Sequence, residues 1–350
     1  MSDSSLTDHP TLTYRSEESQ WGLEEDLDYP LYDSDLDDDF YDDYDDDEVY
    51  DDYDDEEMDE DYIEDDEIPR QSPLCWAVQN RHTDVIRLLL SREDLQPDLP
   101  DSEGRTPLFL ACDSGYEEAV GLLLERGDAV DPNVRAPWRA FSPLTTAAFH
   151  SYEGVVKLLL THSNIDPNLL SQDGLTALSL AAIEGSEGVV RLLLAWGPID
   201  LNSTDTATGR RALGHAAFHG HKGVVELLLA CKGTEPNHVD VNGQTALNIA
   251  AKGGHLGVVK ALLGCEATDP SLRDVWNQSP LGYAMCGGWD GMAKALAARP
   301  DLDLNEAPVS GGPTALSLAV GSGNAEVVRI LLERDDVDVN LADAHGRSPL

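Results

Sequence analysis

The sequence predicts an all-α solenoid of repeated helix–turn–helix units with hairpin loops, preceded by a disordered acidic segment. Three observations carry that expectation. A motif such as TPLFLA or TALSLA recurs, with its second residue at positions 73, 107, 143, 177, 212, 246, 280 and 315, a period of 34 to 36 residues. A second run of the type VVRLLL begins twelve residues after each of those positions, and that offset never varies. Charge is split sharply along the chain: 32 of the 67 Asp and Glu fall in residues 1–70, beside only two of the 23 basic residues, Arg15 and Arg70.

Residues 1–70 are read as a disordered acidic tail. So dense a run of carboxylates, with few branched apolar residues, buries too little surface to offset the entropy of ordering the chain. Its core is YDDYDDDEVYDDYDDEEMDEDYIEDDEIP, Tyr41 to Pro69. Residues 71–340 are read as eight repeat units and 341–350 as the start of a ninth, incomplete one.

Each part of the unit has a physical cause. The Thr or Ser that opens the motif offers an oxygen to the free N–H groups of a helix start, and proline fits the first turn. The Leu and Ala that follow make a short helix able to pack closely. Six units then place a glycine at the same register (Gly115, Gly185, Gly220, Gly254, Gly288, Gly323), where a left-handed residue ends the helix. Arg81 and Ser151 stand there in units one and three. The VVxLLL run gives a second, amphipathic helix. Asp-Pro-Asn, Asp-x-Asn and Asp-x-x-Gly stretches supply turn chemistry in the loop beyond. PWRAFSPL replaces the usual hairpin in unit three, and the leucine-poor MAKALA of unit seven predicts a soft spot. Unit one, with Glu67 and Arg70 at its hairpin, reads as an N-terminal cap.

This pattern resembles the ankyrin repeat, most closely the arrays of filamentous fungi. The resemblance implies helix, turn, helix and protruding hairpin, and a role in binding other proteins. One departure stands out: no unit has His after T-P-L, the position holding Cys75, Phe109, Thr145, Ser179, Gly214, Asn248, Gly282 and Ser317.

Little in the chain points to catalysis. There is no GxSxG, HExxH or GxxxxGK[ST]. His215, His219 and His221 in HAAFHGH are the best metal candidates, but Gly-His and Phe-His pairs recur in other units, so a packing role is favoured. No cofactor is expected. Five separated cysteines (Cys75, Cys112, Cys231, Cys265, Cys286) with no CxxC argue for a reducing compartment. A charge of −44 without a basic cluster argues against nucleic acid and anionic membranes. The expected setting is cytoplasmic and/or nuclear, and the expected function is that of a non-catalytic protein–protein adaptor or scaffold.

In such an array the LLL faces are consumed by stacking, which leaves the hairpins and first helices as a concave binding face. On that face the predicted partner-binding residues are Trp138, Arg139, Phe141, Phe149, His150, Ile183, Arg210, Phe218, His219 and Trp276. Aromatic and arginine side chains dominate protein interfaces. Eight of the eleven tyrosines lie before residue 70, and four readings of the acidic arm stay open. It solvates; it is the activation segment of a nuclear transcriptional coregulator; it attracts basic proteins; or it lies intramolecularly against the concave face, whose Arg105, Arg135, Arg139, Arg210 and Lys252 oppose its charge.

Overall fold

The computed structural model describes residues 72–137, 139–305, 314–342 and 346–348. The acidic tail, 1–70, and half of the ninth-unit stretch, 343–345 and 349–350, lie outside the described residues. Sixteen α-helices are found among the described residues, and no strand. They fall in eight pairs: α1 Pro73–Gln79 with α2 Thr83–Leu90, α3 Pro107–Asp113 with α4 Glu117–Leu124, α5 Pro143–Phe149 with α6 Glu153–Leu159, and α7 Ala177–Ile183 with α8 Glu187–Trp196. The series continues with α9 Ala212–Phe218 and α10 Lys222–Leu229, α11 Ala246–Lys252 and α12 Leu256–Leu263, α13 Pro280–Cys286 and α14 Asp290–Ala297, and α15 Ala315–Gly321 and α16 Ala325–Leu332. First helices stack on first helices and second helices on second, giving two layers with one continuous core.

The motif residues do what their chemistry requires. The hydroxyls of Thr106, Ser142, Thr176, Thr245, Ser279 and Thr314 each accept the N–H three residues on. Arg211 occupies that place in unit five and makes no side-chain cap. The motif leucines (Leu74, Leu108, Leu144, Leu178, Leu247) and the Val-Val-Leu sets such as Val189, Val190 and Leu193 are fully buried. All six expected glycines adopt positive φ, and Arg81 (53°) and Ser151 (58°) are forced into the same left-handed turn despite their side chains. The PWRAFSPL turn closes by an Ala136 N–H to Phe141 C=O bond of 2.8 Å, with Arg139 and Ala140 both left-handed.

Two ladders tie successive units together. In the first, hairpin backbones pair: Gln172 N–H to Arg139 C=O, Thr206 to Asp173, Val241 to Thr208 and Val275 to Asn242, all at 2.8 to 3.0 Å. The second explains the Asp-x-Asn stretches. The Asn133 Nδ2 group donates to the Asn164 carbonyl at 2.7 Å, while its Oδ1 accepts the Asp166 amide at 2.9 Å. Asn168 and Asn237 repeat this with the next unit along. In the Asp-Pro-Asn stretches the aspartate accepts the asparagine's own amide, Asp131 from Asn133 and Asp166 from Asn168, which fixes the asparagine's aim.

One sequence expectation needs correction, and one departure from the repeat pattern has a structural counterpart. Unit one does not present a polar capping face. Trp76, Val85 and Leu88 are 57 %, 45 % and 71 % exposed, whereas their counterparts one unit on, Leu110, Ala119 and Leu122, are buried. The missing histidine is also partly replaced. Asn248, fully buried, donates to the carbonyls of Leu272 and Gln278 and accepts from Thr245, and the Cys75 thiol donates to the Leu99 carbonyl at 3.5 Å.

Candidate binding face

The two residues before each left-handed turn form two rows across the first-helix layer. One reads Asp113, Phe149, Ile183, Phe218, Lys252; the other Ser114, His150, Glu184, His219, Gly253. Phe149 and Ile183 are half-buried because a second, smaller core lies beneath them, built from Phe109, Ala136, Phe141, Leu175 and Leu180. The Phe141 and Phe149 rings stand 6.1 Å apart.

The ten predicted residues do not share one environment. Phe141 and Arg210, expected on the exposed face, are 5 % and 8 % exposed. Phe141 is part of the smaller core, which the long unit-three turn folds over. Arg210 lies in an ion pair with buried Asp240 (3.3 Å), its guanidinium 4.4 Å from the Phe218 ring. Arg139 gives its carbonyl to the hairpin ladder. Trp138 lies outside the described residues. His150 is exposed, stacks on Tyr152 at 5.3 Å and meets the Asp113 carboxylate at 3.4 Å. Trp276 is 55 % exposed at the unit-seven hairpin tip, with the Lys252 ammonium 5.9 Å from its ring. The structure therefore brings together Phe149, His150, Ile183, Phe218 and His219, with Trp276 two hairpins further along.

Val275, exposed beside Trp276, escaped the sequence reading. Its only signal was its place one residue after the hairpin aspartate, where Val241 stands in unit six and is equally exposed.

The histidines have packing work. His221 Nε2 bonds the Ile183 carbonyl at 2.8 Å and His255 Nε2 the Phe218 carbonyl at 2.9 Å, each over the left-handed glycine of the preceding unit. His215 is buried 3.0 Å from Asp205, whose carboxyl is held well below the ordinary range: burial opposes this, but bonds from His215 and Thr208 outweigh it. Burial, then the neighbouring His221, His215, Arg210 and His255, lowers the His219 pKa to about 4. Among the described residues no group of three or more His, Cys, Asp or Glu is placed to hold a metal, and no helix is long and apolar enough to cross a membrane.

Comparison with known proteins agrees with this architecture. The model for ankyrin repeats in three copies matches residues 56–136, 128–205, 144–240, 197–274 and 213–307, and the single ankyrin repeat model matches 311–344. The ankyrin repeat domain-containing protein SAT10 of the fungus Stachybotrys chartarum is 35% identical over 88 residues, 24% of this chain and 4% of that protein. Human NF-kappa-B inhibitor alpha is 32% identical over 97 residues, 26% of this chain and 30% of that one. The chain thus spans under a third of either relative. Among solved structures, the ankyrin repeat domain of Bcl-3, a member of the IkappaB family, aligns with a TM-score of 0.55 at 28% identity, over 62% of this chain and 95% of that one. The ankyrin repeat protein EF0377 gives 0.51 and 29%, over 54% and 95%. Repeat length, helix pairing, hairpin ladder and family match coincide, and the chain belongs to the ankyrin-repeat family.

Proposed function

We propose that the chain is a non-catalytic protein-interaction module that grips a segment of a protein partner on its first-helix face. One observation carries this reading. Phe149, Ile183 and Phe218 occupy the same register of three successive units and stay partly accessible, although the leucines around them are consumed by stacking. Apolar side chains set in a rigid scaffold and rimmed by polar groups are the usual anchors of protein recognition. His150, His219 and Trp276 complete the face. The setting that suits such an adaptor and its separated cysteines is cytoplasmic and/or nuclear.

The test is capture of partners by the wild-type chain and by the double variant Phe149→Ala, Phe218→Ala, with circular dichroism to establish that the variant is folded. A partner held by the wild type should be lost or weakened at least tenfold. Unchanged capture of every partner by the folded variant refutes the reading.

The tyrosines set among carboxylates before residue 70 favour a second reading, in which the arm is the activation segment of a nuclear coregulator and the array grips a DNA-bound factor. Fusing residues 1–68 to a DNA-binding domain decides the matter: reporter activity lost when the tyrosines become serine supports it, and a silent fusion rejects it.

A further inference from the structure

The sign of charge at the centre of this face narrows the partner. Two cations of the hairpin layer, Arg105 and Arg210, are already neutralised within the chain. Arg105 bonds Asp101 at 2.9 Å and Glu103 at 3.1 Å, and Arg210 is buried against Asp240. His219, whose pKa is lowered to about 4, is neutral near pH 7. Lys252 stands at the far end of the apolar row, over Trp276. The middle of the face belongs to Glu184. It follows Ile183 directly, at the C-cap of α7, and it lies between His150 of unit three and His219 of unit five in its row. Among the described residues it has no ion pair with any lysine or arginine. Burial raises its pKa, and only His221 and His150 oppose that shift. Asp113, at the start of the apolar row, pairs among the described residues with His150 and with no lysine or arginine.

We propose that the first-helix face takes a segment of a partner protein in which a lysine or arginine is flanked by apolar side chains, the cation meeting Glu184 and the apolar groups resting on Phe149 and Ile183 to one side and Phe218 to the other. This rests on the module reading above and names the chemistry of its partner. A carboxylate set among apolar side chains and without a lysine or arginine partner among the described residues is an unfilled position in the charge pattern, and a partner's cation whose apolar neighbours exclude water around it would be held there more firmly than in an open surface pair. An acidic segment is disfavoured twice, locally by Glu184 and Asp113 and at long range by the net charge of −44.

The experiment is selection of a random-peptide phage library on the full chain, followed by affinity measurement of the synthesised winners. Winners should carry Lys or Arg between apolar residues. Their binding should fall about tenfold with Glu184→Gln and with Phe149→Ala, and stay unchanged with Glu125→Gln at the end of α4. Winners that need Phe149 but lack a basic residue, or that bind Glu184→Gln as well as wild type, overturn this inference and leave the module reading standing. Winners indifferent to both Phe149 and Phe218 overturn the two together.

Discussion

Asp98 accepts a hydrogen bond from the backbone amide of Asp131 at 2.8 Å, while its other carboxylate oxygen is buried with no partner. In later units the same register holds Asn133, Asn168, Asn237 and Asn305, which accept the corresponding amide and also donate to a carbonyl of the next unit. A carboxylate has no proton to donate. Burial raises the Asp98 pKa, against the opposing bond from Asp131. Asp98→Asn should therefore stabilise the fold by about 1 kcal/mol at pH 7, read from urea unfolding. A raised native pKa means the wild type is best accommodated when protonated, so its deficit develops as pH rises through that pKa. The gain should be largest at neutral pH and shrink in acid. A gain that is absent, or largest in acid, contradicts the ladder account.

Ser151 occupies a left-handed turn that glycine fills in six units, and no hydrogen bond of its side chain compensates. Ser151→Gly should raise stability by about 0.5–1 kcal/mol, relief of backbone strain exceeding the added freedom of the unfolded chain. Arg81→Gly should gain less or lose. There the guanidinium donates to the Ser114 carbonyl at 2.6 Å and lies 5.0 Å from the Tyr116 ring, ties to unit two that glycine cannot make.

Asn248→Ala should cost about 2–4 kcal/mol, because it leaves the Leu272 and Gln278 carbonyls and the Thr245 amide without their buried partner. Ser179→Ala, at the same register of unit four, should cost clearly less, since its hydroxyl bonds only the Thr176 side chain. Equal losses at the two sites would show that Asn248 does not join units six and seven.

The native His219 pKa of about 4 lies below the ordinary 6.5. A depressed pKa means that the folded state binds fewer protons than the unfolded one in that interval. The stability it contributes is complete above pH 6.5 and is lost as pH falls towards 4. His219→Gln should flatten that part of the profile in unfolding measured at pH 7, 5.5 and 4.5. An unchanged slope would mean the imidazole titrates normally.

Unit seven places Ala293 and Ala297 where unit six has Val259 and Leu263, so α14 buries less apolar surface against its neighbours. Amide hydrogen exchange should be faster in α13–α14 than in α7–α8. Equal protection would remove the soft spot that the MAKALA run predicts.

Much of the fold is legible in the sequence because the repeat samples one local solution eight times. A hydroxyl before Pro-Leu or Ala-Leu, a glycine nine residues on and a VVxLLL run each act within a few residues of chain, so their spacing predicts helices, caps and turns. Even Arg81 and Ser151 could be placed in left-handed turns by register alone. The exposed or buried state of the site residues was not legible in this way. Phe141, Phe149 and Ile183 all read as face residues, and Arg210 as a free cation.

The sequence by itself determined the repeat, the helix pairing and the register of the two rows, since those follow from local propensity and period. Only the tertiary structure decided which row positions remain accessible. Phe141 is lost to a smaller core because unit three's long turn folds over Phe109 and Leu180, contacts made between units. Arg210 is neutralised by Asp240, thirty residues along the chain, and Glu184 has no lysine or arginine partner among the described residues because its neighbours across the units are histidines. Burial and pairing of charge are sums over neighbours that stacking brings together, and no window of one repeat contains them.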